Sequence, residues 1–176
     1  MAHDPGGKAL FPLQPGITGN AYITPDEQHR LWLSRTWGPG ARYLAILGMN
    51  PSTARPDMDD PTIRRDIGFA QRLGFDGLFK INYATYRATD PKKLRTLGAA
   101  CVHPENVHIL RKIGGRCFMV IIATGVVEPA LRSYARSAID TLREVKSELW
   151  CFGFTKDGYP KHTLYLKSDT KPVRFP

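Results

Sequence analysis

Apolar runs of strand length alternate along this chain with stretches of helical periodicity, and cap or turn residues mark most of the changes. Tyr43 to Leu47, residues 77–82, Cys117 to Ala123 and Leu149 to Phe152 are short and nearly continuous apolar runs, the pattern of strands covered on both faces. Between the first two, Ile63, Ile67, Ala70 and Leu73 form a helical stripe, opened by Asp60 as cap with Pro61 at the first position and closed by Gly74. A short helix is predicted over residues 104–112, ended by Gly114-Gly115, and a long one over 128–145. Gln28 to Trp37 carries two signals. Thr24-Pro25-Asp26-Glu27 has the form of a helix start, but the alternation of Leu31, Leu33 and the tryptophans favours a strand, with Gly38-Pro39-Gly40 as the turn after it. Residues 49–60 and 84–92 are polar loops, and 153–166 read as a loop followed by a short strand. Strand and helix in alternation predict a three-layer α/β/α domain with a mainly parallel central sheet. Residues 1–20, with Pro5, Gly6, Gly7, Pro12, Pro15 and Gly16, are read as a flexible N-terminal arm, and residues 21–176 as one domain.

Composition changes this picture little. The chain has 176 residues, 42% of them hydrophobic and 23% charged, ordinary values for a globular domain that builds its own core. Cys101, Cys117 and Cys151 are an odd number without CxxC spacing, so neither a disulfide framework nor a metal site is expected, and no cofactor. No apolar stretch approaches about 18 residues and the start lacks a secretory pattern, so the expectation is a cytoplasmic protein with no membrane partner, acting as a monomer.

Charge changes it more. The net charge of +9 suggests a polyanionic partner, although a solvated basic surface gives the same number. Arg87, Lys92, Lys93, Lys161 and Lys167 flank loops that follow the strands, where backbone phosphates of DNA could lie.

Candidate chemistry collects at the strand ends, and in open α/β sheets ligands bind at the carboxyl edge. The first strand runs into Gly48-Met49-Asn50-Pro51-Ser52, where the glycine allows close approach and the proline stiffens the loop. The second ends in Asn82-Tyr83, and a late segment, Lys161-His162-Thr163-Leu164-Tyr165-Leu166, again sets a polar residue against apolar neighbours. Each has a plainer alternative: Asn50-Pro51 as a turn, Asn82 as a strand-end cap, His162 as a surface histidine, Asp59-Asp60 as nothing beyond a helix cap, Tyr83 and Leu166 as core residues.

The order of these segments resembles the uracil-DNA glycosylase superfamily. Gly48-Met49-Asn50-Pro51 is similar to its water-holding loop, Asn82-Tyr83-Ala84-Thr85-Tyr86-Arg87 to its base-reading strand, and His162 followed by Leu166 to its last motif. Thr85 falls one position early, Thr124 stands where that superfamily has Trp, and Thr163 replaces the usual Pro. The chain also resembles a group of small bacterial and phage proteins without an assigned activity. They share Met-Asn-Pro-Ser-Thr-Ala, Asp-Asp-Pro-Thr, Tyr-Arg-Ala-Thr-Asp-Pro and Pro-Lys-His, over residues 30–167 here.

The first resemblance implies a DNA glycosylase that hydrolyses the N-glycosidic bond of a flipped pyrimidine. Asn50 and His162 would be catalytic, Asn50 placing water and His162 stabilising the departing base. Gly48, Met49, Pro51, Ser52, Asn82 and Tyr83 would surround the base, with Asn82 reading its edge. Arg87, Lys161 and Lys167 would hold DNA, and Leu166 would fill the vacated stack. Asp59 or Asp60 is a further candidate base. Ser52 stands where the uracil-selective branch has a bulky Tyr, which implies room for a 5-substituted pyrimidine. A non-catalytic reader of modified bases, or an enzyme acting on nucleotides or modifying a DNA base, remains as an alternative.

Overall fold

The computed structural model describes residues 9–90 and 92–176. Strands β2 (Thr18–Ile23), β3 (Arg30–Thr36), β4 (Tyr43–Gly48), β6 (Gly77–Asn82), β7 (Met119–Ile122), β8 (Leu149–Cys151) and β9 (Val173–Phe175) form one sheet in the order β2-β3-β6-β4-β7-β8-β9. Short β1 (Phe11–Pro12) and β5 (Met58–Asp59) pair beside it. The helices are α1 (Pro61–Arg72), α2 (Lys92–Leu97), α3 (Asn106–Arg116) and α4 (Arg132–Val145).

Alternation along the central strands divides the core in two. Ala45 and Leu47 of β4 and Ile81 of β6 face α3 and α4, whereas Leu44, Ile46 and Leu78 face Ile63, Ile67 and Ala70 of α1. Helices therefore cover both faces of the sheet. The predicted helix start at Asp60 and Pro61 is present, with Asp60 Oδ1 accepting the Ile63 N–H at 2.9 Å. Gly74, at φ +75°, makes the left-handed turn after α1 that a side chain would resist.

Four expectations are corrected. The sheet is mixed and not mainly parallel: β6–β4, β4–β7 and β7–β8 pair in parallel, while β2–β3, β3–β6 and β8–β9 are antiparallel. Helical crossovers give the parallel pairs, and the edge strands enter through loops, which permit antiparallel pairing. Helix α3 runs through Gly114-Gly115, and Gly114 lets it lie close to α4: a Cβ on Gly114 would stand 2.7 Å from Leu142 Cδ2. The short strand expected before residue 166 is a 3-10 turn, Thr163–Tyr165, and the last strand is β9. The expected arm over residues 1–20 is paired from residue 11 onward: β1 joins β5, and β2 joins β3. Residues 1–8 of that arm lie outside the described residues.

One buried ion pair ties the loop after β4 to the sheet. Arg35 of β3 and Asp59 are both fully buried, with Nε and Oδ1 2.7 Å apart, and Arg35 Nη2 donates to the Arg55 and Met58 carbonyls. Arg64 of α1 reaches the second oxygen of Asp59 at 3.1 Å. With both carboxylate oxygens engaged and no exposure, Asp59 is structural, which corrects its candidacy as a catalytic base. Removing one partner leaves an uncompensated buried charge. Asp59→Ala is therefore expected to cost about 3–5 kcal/mol in denaturant unfolding, whereas the exposed Asp57→Ala in the same loop costs under about 0.5 kcal/mol. Equal effects from the two would overturn the assignment.

Candidate functional site

Parallel pairing of β6, β4 and β7 brings three strand ends side by side, with Gly48 in register with Asn82. The ladder continues past both strands, since the Tyr83 and Ala84 N–H groups donate to the Gly48 and Met49 carbonyls. After β7 the chain passes through Ala123 and Thr124 to Gly125, at φ +68°. The Gly125 N–H donates to the Pro160 carbonyl at 3.0 Å, and the left-handed backbone here, not a lack of space beside His162, is what favours glycine. The loop carrying His162 is thereby drawn over the ends of β4 and β6.

A cavity of about 420 Å³ lies at this junction, of the size of many small-molecule sites. Its walls include Gly48, Met49, Asn50, Ser52, Asn82 and His162, so the loop after β4, the end of β6 and the late histidine share one space. Asn82 is 1% exposed, and among the described residues neither its amide nitrogen nor its amide oxygen has a hydrogen-bond partner. It therefore caps nothing at the strand end. A buried amide with nothing to bond is costly unless a ligand completes it.

Asn50 is differently placed. Its Nδ2 donates to the Pro51 and Ala88 carbonyls at 2.9 and 2.8 Å, which leaves Oδ1 as an acceptor. At His162, Nδ1 accepts the Leu164 N–H at 3.2 Å, so the neutral ring carries its proton on Nε2. Burial, reinforced by the charge of Lys80, lowers the His162 pKa to about 4. The imidazole is a neutral donor at physiological pH. Asp60 both caps α1 and lines the cavity, and burial raises its carboxyl pKa.

The family model for DUF1643, a protein of unknown function, matches residues 30–164, a span that holds every residue lining the cavity except Tyr165. The chain belongs to this family. No curated protein and no solved structure matches the DUF1643 chain.

Several predicted site residues lie elsewhere. Tyr83 is 1% exposed in the core against α3 and α4, because consecutive residues at a strand end point to opposite faces and Asn82 takes the cavity side. Leu166 packs against the α1 core, and Tyr165, 74% exposed, stands at the cavity in its place. Pro51 is buried and off the cavity wall, but its carbonyl fixes Asn50. Lys161 and Lys167 are exposed and off the wall. Arg87 lines an adjoining groove with Arg55 and Lys93, together with Glu27 and Asp90; groove and cavity share Ser52, Ala88 and Thr89.

Sequence reading missed Arg30 and Lys80, which line the cavity at 2% and 4% exposure. Lys80 Nζ pairs with Asp66 Oδ2 of α1 at 2.8 Å. The signal that could have found it was parity: Lys80 sits inside an apolar strand two residues before Asn82, and therefore on the same face. Among the described residues no group of three or more His, Cys, Asp or Glu side chains is arranged for a metal, and no helix is long and apolar enough to cross a membrane.

The depressed His162 pKa has a direct consequence for stability. In the folded protein it lies below the ordinary value of 6.5, so the unfolded chain takes up the proton first as pH falls. Stability present above pH 6.5 is lost between about 6.5 and 4, at roughly 1.4 kcal/mol for each pH unit. Denaturant unfolding from pH 8 to 4 should show this loss, and His162→Gln should reduce its slope in that window. An unchanged slope would count against a neutral, half-buried imidazole.

Proposed function

We propose that the cavity receives a pyrimidine base flipped out of DNA and that the chain is a glycosylase hydrolysing its N-glycosidic bond. The observation that carries this reading is the buried, unpartnered amide of Asn82, which has an acceptor and two donors free for a base edge. A base in a duplex cannot reach such a site without leaving the stack. His162, neutral with its proton on Nε2, donates to a base oxygen as negative charge develops there. Asn50 Oδ1 accepts from a water molecule and orients it towards the sugar once the bond has loosened. Ser52, small and on the cavity wall, leaves space beside the base for a 5-substituent. The groove with Arg55, Arg87 and Lys93, continuous with the cavity through Ser52 and Thr89, supports a phosphate backbone lying beside the entrance. Tyr165 at the mouth, and not Leu166, is the side chain placed to stack on a neighbouring base.

A non-catalytic reader is the second reading. It is favoured by Asn50, an amide that takes no proton and whose N–H groups are already committed. Oligonucleotides carrying uracil and a range of 5-substituted pyrimidines, scored for alkali-labile abasic sites and for retention, decide between the two. A glycosylase produces abasic sites at one or more 5-substituted bases. In it, His162→Ala slows cleavage about 10²–10³-fold with DNA affinity kept, and Asn82→Ala loses both cleavage and base preference. Retention without cleavage makes the chain a reader. Neither retention nor cleavage on any base, with binding insensitive to salt, contradicts both.

A further inference from the structure

Base reading by Asn82 and donation by His162 leave two buried cations at the cavity, Arg30 and Lys80, without a use. Lys80 lies on the same face of β6 as Asn82, and the two side chains end together beneath Gly48. A Cβ at residue 48 would meet Asn82 Nδ2 and Lys80 Cε at 3.0 Å and Lys80 Nζ at 3.2 Å. The glycine is the space in which both termini fit. Lys80 is 4% exposed and lines the cavity, while its partner Asp66 is fully buried behind it, off the cavity wall and with Oδ1 lacking a hydrogen-bond partner among the described residues. A pair so enclosed, with one carboxylate oxygen unsatisfied, is one that apolar residues could replace without loss of stability. Asp66 is the only hydrogen-bond partner of the ammonium among the described residues, so N–H groups remain for a ligand. The positive end of the pair is the end presented to the cavity.

We infer that Lys80 faces the base and makes the cavity selective for a nucleobase in its anionic form; this rests on the cavity being a nucleobase site. When the C1′–N1 bond breaks heterolytically, its electron pair stays on N1 and spreads to the ring oxygens. The sugar cation is captured by water, which gives its second proton to solvent. Lys80 meets the charge that appears on the base, an interaction stronger in the transition state than in the ground state. His162 contributes a neutral hydrogen bond, and Arg30, a second buried cation on the wall, donates to the Ala54 carbonyl; Lys80 is the cation whose ammonium ends beside the Asn82 amide.

The test is binding of a free base that ionises near neutral pH, 5-nitrouracil or 5-fluorouracil, measured by calorimetry below and above the ligand's own pKa. Thymine, neutral throughout, controls for titration of the protein. Lys80→Met alone strands Asp66 as a buried charge, so the decisive variant is Lys80→Met with Asp66→Leu, checked for folding by its melting curve. Wild type should bind the anionic form about tenfold or more tightly than the neutral form, the double variant should lose that gain, and Lys80→Arg should keep most of it. Equal affinity for both forms in wild type, or a gain that survives in the double variant, overturns the inference and leaves nucleobase binding intact if Asn82→Ala still abolishes it. Absence of binding by any base at either pH overturns the nucleobase reading and the inference with it.

Discussion

The parallel register that sets Gly48 opposite Asn82 is the constraint on which the rest of the site depends. Pairing of β6 with β4 and of β4 with β7 brings three strand ends to one edge of the sheet, and the absent side chain at residue 48 leaves a hollow there. Lys80 and Asn82 fill its floor from one strand face, and the Gly125–Pro160 hydrogen bond holds the loop that carries His162. A slip of one residue in β6 would turn Asn82 and Lys80 into the α3 and α4 core and bring Tyr83 to the cavity. Burial of Leu78 on one face and of Ile81 and Tyr83 on the other holds the strand against such a slip.

Buried charge is distributed around this hollow with consistent logic. Arg35 and Asp59 bind the loop after β4 to the sheet edge, and Arg64 extends that link to α1. The same loop carries Asn50 and Ser52 to the cavity wall and ends in Asp60, which starts α1. Helix α1 then delivers Asp66 to Lys80. Loop, helix and strand are thus joined by ion pairs at two points, and cavity polar groups sit between them. Buried pairs of this kind are weak evidence for stability, but breaking one by removing a single partner is strongly destabilising.

Much of the framework was legible in the chain. Near-continuous apolar runs marked the four parallel strands, and Asp60-Pro61 marked the start of α1, because both signals are local. Asn50, Asn82 and His162 were legible as polar interruptions next to apolar runs, and the structure brings all three to one cavity. Asp59 and Asp60 are adjacent in sequence, but only Asp60 lines the cavity, and the distant Arg35 is what holds Asp59 away from it. Leu166 falls in the core and Tyr165, which had no expected role, stands at the cavity because a 3-10 turn, not a strand, follows His162. Gly114-Gly115 read as a helix end, yet the smallness of Gly114 serves helix packing against Leu142, a contact invisible to local pattern. Lys80 was hidden among many surface cations, since charge alone does not show burial.

The central claim is that Asn82, Asn50 and His162 act on one base in one cavity. The most direct measurement is a crystal structure of the protein with an oligonucleotide whose target pyrimidine nucleotide carries a 2′-fluorine, which slows cleavage of the bond. The account predicts the base extruded into the cavity, its edge hydrogen-bonded to the Asn82 amide, His162 Nε2 at a base oxygen and a water held on Asn50 Oδ1. A base left stacked in the DNA, or DNA bound on a face remote from Gly48, would contradict it.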